Sequence, residues 1–234
     1  MITLRLIILV IYVFSLSFIA IFCMMQLRLL YYYLRYSKGV KSEEIPTIDV
    51  LPFVTIQLPI YNEQLVVNRL IDNIVTLDYP KSLIQIQVID DSTDSTLEIS
   101  RKQVEKYAFK GYDITLHHRT ARSGYKAGAL KAAMPHVKGE FIAIFDADFL
   151  PKSSFLLDTM AHFQNPEVGV VQTRWEHLNQ DYSILTELQA FQLNVHFTIE
   201  QKGRMAGNYL LQFNGTAGVW RRETIDSAGG WEAD

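Results

Sequence analysis

The sequence contains a single cysteine and no excess of basic residues, and each shortage excludes a class of protein. Cys23 alone cannot form an intramolecular disulfide or a cysteine-rich zinc site. The 234 residues include 22 Lys and Arg against 25 Asp and Glu, a net charge of −3. This balance argues against a nucleic-acid partner, because nucleic-acid-binding domains are strongly basic. With 49% hydrophobic residues, the chain is also too apolar to be intrinsically disordered.

What the sequence does contain is a long uncharged run near its N-terminus. Leu6–Leu27 comprises 22 residues without a charge. As a helix it would be about 33 Å long, enough to cross a hydrocarbon core of about 30 Å. A signal peptide and a buried core helix are the alternatives, but a signal peptide has only about 7–15 apolar residues. We therefore expect residues 1–36 to form a membrane anchor.

Basic residues around this run predict its orientation. Arg5 precedes the run, and the basic residues that follow it are Arg28, Arg35, Lys38 and Lys41. By the positive-inside rule, the flank that is richer in Lys and Arg stays in the cytosol. The sequence therefore predicts a single N-terminal span, a polar linker at 37–50 and a cytosolic remainder.

From residue 51 onward, short apolar runs alternate with amphipathic stretches. The predicted strands are 53–58, 83–89, 113–117, 141–145 and 168–172, and the predicted helices are 63–77, 96–107, 126–133 and 152–163. Such alternation indicates βαβ units and a mainly parallel sheet. We predict an α/β domain at 51–234, which also contains a longer helix at 182–204.

Polar residues gather where three of the predicted strands end. The three segments are Pro59–Glu63, Asp90–Asp94 and Asp146–Asp148. Ligands of an open parallel sheet bind beyond the carboxyl ends of its strands. We therefore expect these three loops to meet at one edge of the sheet.

The third segment has the spacing of a metal site. Asp146 and Asp148 are two residues apart after an apolar strand, so both carboxylates can reach one hard cation. Mg²⁺ is typically held by one or two carboxylates together with substrate phosphates. Carboxylates at a helix start can instead act as caps, but the apolar strand and the second acidic loop favour the metal.

The second segment has two compatible interpretations. Asp90 or Asp91 can accept hydrogen bonds from a nucleotide base or ribose, as an acidic residue at a strand end does in dinucleotide folds. Ser92, Thr93 or Asp94 can cap the helix that follows. The two roles fall on different residues, so we expect both.

A basic, glycine-containing segment, Arg122–Leu130, begins another predicted helix. Backbone N–H groups at a helix start, together with Arg122 and Lys126, would attract phosphate. The spacing is not that of a P-loop, GxxxxGK followed by Ser or Thr. A solvated helix start is the alternative.

Six motifs in order resemble those of family 2 glycosyltransferases, which have the GT-A fold. They are PIYNE, VIDDSTD, GYKAGAL, FDADF, QTRWEHLN and FNGTAGVWR, and they span about residues 50–234. The sequence is most similar to the processive, membrane-embedded cellulose synthase-like branch, including plant enzymes that make mannan and glucan backbones. Ceramide glucosyltransferases are more distant.

The resemblance implies inverting transfer of a hexose from UDP-glucose or GDP-mannose to a polysaccharide or lipid-linked acceptor. Nucleotide-sugar contacts would come from Pro59, Tyr61, Glu63, Asp90 or Asp91, Lys126 and Asp146. Asp146 and Asp148 would hold Mg²⁺ or Mn²⁺ against the diphosphate. The acceptor end would be lined by Trp175, Phe213, Asn214, Gly215 and Thr216, although spacing alone favours an ordinary turn at the last four.

The resemblance also implies that the catalytic residue is missing. The family's general base is an aspartate a few residues after a segment like Gly229–Glu232, and by register Asp234 precedes it. We therefore expect an N-terminal fragment with an incomplete GT-A domain, which binds donor and metal without efficient transfer. The alternative is a non-catalytic, membrane-anchored nucleotide-sugar binder or regulatory protein. A nucleotidyltransferase is disfavoured, because PIYNE occupies the place of its glycine-rich loop.

Overall fold

The computed structural model describes residues 2–36, 48 and 50–232. The helices and strands in chain order are α1 (Ile2–Tyr36), β1 (Val54–Ile60), α2 (Val67–Ile74), β2 (Ile84–Asp90), α3 (Thr96–Phe109), β3 (Asp113–His118), α4 (Tyr125–Ala133), β4 (Phe141–Ile144), α5 (Phe155–Met160), β5 (Val170–Gln172), α6 (Ile184–Val195), α7 (Lys202–Ala206), β6 (Gly218–Arg221) and α8 (Arg222–Ser227). A π-helical segment, His196–Gln201, joins α6 to α7. Short 3-10 helices lie at Lys81–Leu83, Met134–His136, Ala161–Gln164 and Gln180–Tyr182. Almost all of the predicted linker at 37–50 lies outside the described residues.

The six strands form one mixed sheet in the order β3-β2-β1-β4-β6-β5. β1 is parallel to β2 and β4, and β2 is parallel to β3. β6 is antiparallel to both β4 and β5. The predicted mainly parallel α/β sheet is therefore confirmed. β6 is absent from the sequence-based prediction because a four-residue strand that begins with glycine gives little periodic signal.

The central strands are covered on both faces. Ile56 and Leu58 of β1, Val88 of β2 and Ile142 of β4 are fully buried. A parallel strand that is buried on both faces is expected to be a nearly continuous apolar run, and β4 fits that description. β1 and β2 depart from it, because polar residues alternate with their apolar ones.

Those polar residues pair with each other inside the sheet. Thr55 Oγ1 donates to Gln85 Oε1 at 2.8 Å, and Gln57 Nε2 donates to Gln87 Oε1 at 3.0 Å. Gln85 Nε2 also donates to the carbonyl of His136, just beyond α4, at 2.9 Å. Buried polar groups are costly unless hydrogen-bonded, so this ladder fixes the register of β1 and β2 and ties the C-terminal end of the α4 region to the sheet.

The chain divides into two compact units. The α/β unit comprises Glu44–Thr173 and Phe213–Asp234 and contains the whole sheet. The helical unit comprises Met1–Glu43 and Arg174–Gln212. The division of the sequence into 1–36, 37–50 and 51–234 stays a prediction.

The helical unit is built on the C-terminal part of α1. Among the described side chains of α1, Leu29 alone is buried. A Cβ added to Gly203 would lie 2.6 Å from the Leu29 carbonyl oxygen, so glycine permits a close approach of the two backbones. Thr3–Tyr36 is the one helix of the described chain that is long and apolar enough to cross a membrane.

Candidate functional site

A polar cavity of about 390 Å³ opens at the carboxyl edge of the sheet. It is formed by the loops after β1, β2 and β4 and by the start of α4. The lining residues are Pro59, Ile60, Tyr61, Glu63, Asp91, Arg122, Lys126, Ala129, Asp146, Ala147 and Asp148. Acidic and basic side chains therefore share one cavity.

Asp146 and Asp148 lie in the turn that follows β4. Ala147 between them is buried, Asp146 is half-buried and Asp148 is exposed. The Asp146 N–H donates to Thr216 Oγ1 at 2.9 Å, and the Phe149 N–H donates to the Asp146 carbonyl at 3.1 Å. These contacts hold the backbone of the pair and leave the carboxylate of Asp148 at the cavity.

Lys126 of α4 bridges two segments of the cavity wall. Its ammonium group pairs with Asp146 Oδ1 and donates to the carbonyl of Gly215 at 2.8 Å. Gly215 has a φ of +78°, a conformation that glycine adopts without strain. One positive charge thus joins the Asp146 carboxylate to the loop that precedes β6.

Asp90 and Asp91 occupy different environments. Asp90 is fully buried, and its carboxylate accepts from the Ser92 N–H and from Ser100 Oγ, both at 2.7 Å. Asp91 is the member of the pair that lines the cavity. Asp94, one residue before the N-cap of α3, accepts from the Thr96 N–H through Oδ1 at 2.9 Å, whereas the N-cap residue Ser95 makes no side-chain capping hydrogen bond.

Arg119 fixes Asp91 and the loop before α4, and it is absent from the sequence-based site. Its guanidinium binds both oxygens of Asp91, with Nε 2.8 Å from Oδ1. The same group donates to the carbonyls of Ser123 and Tyr125 at 3.2 and 3.1 Å. A bidentate arginine of this kind fixes geometry as well as charge. The sequence alone does not distinguish Arg119 from an ordinary solvent-exposed arginine.

Asn62 connects the loops after β1 and β2. Its N–H donates to Ser92 Oγ at 2.8 Å, and its Oδ1 accepts from the Thr93 N–H at 2.9 Å. Asn62 has a φ of +55°, and Tyr125 at the start of α4 has a φ of +47°. Non-glycine residues in this region are uncommon and cluster at functional sites.

The side chain of Arg122 stacks on the Tyr61 ring at the rim of the cavity. The guanidinium of Arg122 lies 3.4 Å from the centroid of the Tyr61 ring and 5.2 Å from that of Tyr125. Both are within the range of a cation–π interaction. The rim therefore combines aromatic faces with one exposed positive charge.

Several carboxylates lie close to one another at the cavity. The pKa of the Glu63 carboxyl is raised, first by burial and then by the negative charges of Asp148, Asp146 and Asp94. Like charges disfavour ionisation of a neighbouring carboxyl. A bound cation would relieve this repulsion.

The loop before β6 lies beside Asp146. Thr216 is buried and its hydroxyl accepts from Asp146, while the Asn214 N–H donates to Gln172 Oε1 at 2.9 Å. Gln172 Nε2 returns hydrogen bonds to the carbonyls of Thr216 and Ala217, both at 3.1 Å. Gln172, which the sequence-based site omits, therefore holds this loop in place beside Asp146.

Phe213 and Trp175 belong to different units. Phe213 packs edge-on against Trp220 of β6, with ring centroids 5.1 Å apart. Trp175 lies in the helical unit, where its ring is 5.7 Å from His177 and 5.8 Å from Phe197. The sequence-based acceptor set is thus divided between the α/β unit and the helical unit.

Comparisons with known proteins agree on one family and fold. The family described as Glycosyl transferase family 2 matches residues 55–225. A probable glucomannan 4-beta-mannosyltransferase 4 of Oryza sativa subsp. japonica is 44% identical over 186 residues, which are 77% of this chain and 34% of that protein. The chain thus spans about a third of that relative's length.

Solved structures show the same architecture. The mannosyltransferase PcManGT from Pyrobaculum calidifontis, in complex with GDP-Man and Mn²⁺, has a TM-score of 0.70 and 27% identity, covering 92% of this chain and 58% of that one. S. aureus TarS 1–349 in complex with UDP-GlcNAc has a TM-score of 0.54 at 19% identity, covering 76% and 47%. The second likeness shows the fold alone.

Proposed function

The chain belongs to glycosyltransferase family 2, and we propose that its α/β unit binds a nucleotide-diphosphate sugar together with a divalent cation. The observation that carries the proposal is the cavity at the carboxyl edge of the sheet, which the carboxylates of Asp146 and Asp148 share with Lys126 and Arg122. Carboxylates suit a hard cation and basic side chains suit phosphate oxygens. A metal–diphosphate pair uses both.

The residues present fit Mg²⁺ or Mn²⁺. Asp146 and Asp148 line the same cavity and would be the protein ligands. Among the described residues, no three His, Cys, Asp or Glu side chains converge on a larger cluster. Water and phosphate oxygens would complete the coordination, as Mg²⁺ prefers. When bound, the ion would act as a Lewis acid that stabilises the charge of the departing diphosphate. The complex of PcManGT with GDP-Man and Mn²⁺ supports this assignment.

The geometry also suggests roles for the remaining residues. We assign the nucleotide to the side of the cavity formed by Pro59, Tyr61 and Asp91. Asp91 is chosen over Asp90 because the buried Asp90 carboxylate already accepts hydrogen bonds within the protein. Lys126 and Arg122 would contact the diphosphate. The carbonyl of Gly215, which already accepts from Lys126, would lie on the sugar and acceptor side.

GDP-mannose is our first choice of donor and UDP-glucose the second. The rice relative and PcManGT are both named as mannosyltransferases. For the whole protein we propose inverting transfer of the hexose to a polysaccharide or lipid-linked acceptor. The length of α1 and the basic residues after its uncharged run support a membrane anchor with the α/β unit in the cytosol.

Isothermal titration of the full chain in detergent tests this function. We expect GDP-mannose to bind in the presence of Mn²⁺ and to lose most of its affinity when EDTA removes the metal. Asp148→Asn should produce the same loss. Asp78→Asn is the matched control, because Asp78 is an exposed carboxylate of the same unit outside the cavity.

Two results would contradict the proposal. Equal affinity with Mn²⁺ and with EDTA, unchanged in Asp148→Asn, would remove the metal assignment. If a sample that is folded by circular dichroism binds neither GDP-mannose nor UDP-glucose, the donor site itself is wrong.

A further inference from the structure

The chain turns sharply where α8 ends. The Gly229 N–H donates to the carbonyl of Asp226 at 3.1 Å, and the next N–H, that of Gly230, donates to the carbonyl of Ile225 at 2.9 Å. The two glycines have φ values of +94° and +90°, in a region that residues with a Cβ rarely adopt. A Cβ at either position would have no atom within 4 Å. The glycines are therefore required by the direction of the backbone, which turns Trp231 towards β6, and not by a lack of space.

Trp231 begins a row of three aromatic rings. Its ring centroid lies 5.7 Å from that of Trp220, which in turn lies 5.1 Å from that of Phe213. The interplanar angles are 84° and 78°, and edge-on contacts of this kind are preferred by aromatic pairs. Phe213 lies against the backbone of Gly218, where an added Cβ would be 2.5 Å from its ring. The row thus connects the end of α8, through β6, to the loop that precedes β6.

Apolar packing rather than hydrogen bonding holds Trp231 against Trp220. The indole N–H groups of both residues are buried and have no hydrogen-bond partner in the described part of the chain. Both side chains pack against the apolar cluster that includes Leu130 of α4, Ile142 of β4 and Ile225 of α8. Phenylalanine could therefore replace Trp231 without the loss of a hydrogen bond.

The loop at the other end of the row, Phe213–Ala217, reaches the donor cavity. Its Thr216 hydroxyl accepts from the Asp146 N–H at 2.9 Å. Its Gly215 carbonyl accepts from Lys126 at 2.8 Å. A displacement of this loop would therefore move the acceptors that hold a proposed metal ligand and a proposed diphosphate contact.

We propose that Trp231 is a positioning residue for the donor site, which acts through Trp220 and Phe213 on the loop beside Asp146. The proposal rests on the proposed function, because the donor site is the one assigned there. Within the described chain, Trp231 does not line the cavity, so it acts through its neighbours. Protein interiors are packed closely enough to transmit such displacements.

The end of α3 has the same construction and supplies a matched control. Gly111 has a φ of +75°, and Tyr112 after it packs edge-on against Tyr107 with ring centroids 5.7 Å apart. An added Cβ at Gly111 would meet only Lys81 Nζ, at 3.4 Å. This turn precedes β3 at the amino edge of the sheet, whereas the cavity lies at the carboxyl edge. Changes here disturb an equivalent turn and aromatic pair far from the donor site.

Isothermal titration of the full chain in detergent with GDP-mannose and Mn²⁺ tests the role. We expect Trp231→Ala to weaken donor binding about tenfold, the scale of one aromatic pair. Trp231→Phe should keep most of the affinity, because it preserves a ring and costs no hydrogen bond. Gly230→Ala should match Trp231→Ala, because it opposes the turn and leaves the indole intact. The controls Tyr112→Ala and Gly111→Ala should bind donor as the unchanged chain does.

Circular dichroism reports directly whether Trp231 is packed on Trp220. Two indoles in contact give an exciton-coupled band, which should disappear in Trp231→Phe and in Gly230→Ala and persist in Tyr112→Ala. Gly230→Ala also keeps the test open if Trp231→Ala does not fold. A Gly230→Ala chain that lacks the band but binds donor normally would overturn the inference.

The remaining outcomes separate this inference from the proposed function. If the unchanged chain, Trp231→Ala and Gly230→Ala all bind donor equally, the positioning role is wrong and the donor site stands. If Trp231→Ala and Tyr112→Ala weaken binding equally, the loss reflects packing in general and the positioning role is again wrong. If the unchanged chain binds no donor, the proposed function fails and the positioning role fails with it.

Discussion

Two pairs of aspartates follow parallel strands in this sequence, and the fold uses them in opposite ways. Asp90 and Asp91 at the end of β2 have their oxygens satisfied by Ser92, Ser100 and Arg119, and both are buried. Asp146 and Asp148 after β4 are more accessible, and a salt bridge to Lys126 is the ion pair found for them among the described residues.

The difference between the two pairs separates carboxylates at strand ends that can bind a cation from those that are structural. A carboxylate whose oxygens accept hydrogen bonds from buried groups of the protein contributes to stability, and its removal leaves buried donors unsatisfied. A carboxylate with free oxygen at a cavity remains available to a cation. We therefore expect mutation of Asp90 to affect stability more than binding, and mutations in the second pair to do the reverse.

The largest effect on stability is expected for Asp90→Ala. The change leaves the Ser92 N–H and the Ser100 hydroxyl without their acceptor in the interior, and each unsatisfied buried donor costs about 1–3 kcal/mol. Urea unfolding followed by circular dichroism should show a loss of about 2–4 kcal/mol. Asp146→Ala is the control and should change stability little. If Asp90→Ala leaves stability unchanged but abolishes binding of the sugar donor, Asp90 binds the ligand and is not structural.

The largest effect on binding is expected for Asp148→Asn. Loss of an outer-shell partner costs about 10–100-fold in metal affinity, so removal of a direct ligand charge should weaken Mn²⁺-dependent donor binding by about 100-fold or more. Titration with GDP-mannose measures this change, and urea unfolding should detect none. A large loss of stability in Asp148→Asn would mean that its carboxylate is structural, like that of Asp90.

Arg119→Lys is expected to have an intermediate effect on binding. Lysine keeps the charge beside Asp91 but cannot form the bidentate contact and also reach the carbonyls of Ser123 and Tyr125. The loop that carries Arg122 and Lys126 should then be less well positioned, which weakens donor affinity about tenfold, or about 1.4 kcal/mol. Arg101→Lys on the exposed surface of α3 is the control. Unchanged affinity in Arg119→Lys would show that the loop keeps its position without this arginine.

The sequence is informative about the sheet because its central strands are apolar and its loops are polar. The four parallel strands and the three polar loops at their ends follow from that pattern. β6 does not, because it is short and its pairing with β4 and β5 is non-local.

Side-chain partners are the part of the site that the pattern cannot supply. Whether Asp90 or Asp91 faces the cavity depends on Ser100 and Arg119, which lie 10 residues and 28 residues away along the chain from their partners. The same is true of Asn62 and Gln172, because their partners, Thr93 and Asn214, lie in loops that are distant along the chain. The sequence names the residue types at the edge of the sheet, and the packing decides which of them remain available to a ligand.

The smallest expected effect is that of Ser100→Ala, which removes a hydrogen-bonding partner of Asp90 and keeps the Asp90 carboxylate. The change removes one of the two hydrogen bonds to the Asp90 carboxylate and leaves the other, from the Ser92 N–H, in place. A typical buried hydrogen bond contributes about 1 kcal/mol, and one to a charged group about 1.5–3 kcal/mol, so urea unfolding should show a loss of about 1–2 kcal/mol. Donor affinity should stay the same, because Asp91 keeps its contact with Arg119. A fall in donor affinity without a loss of stability would instead connect Asp90 to the nucleotide.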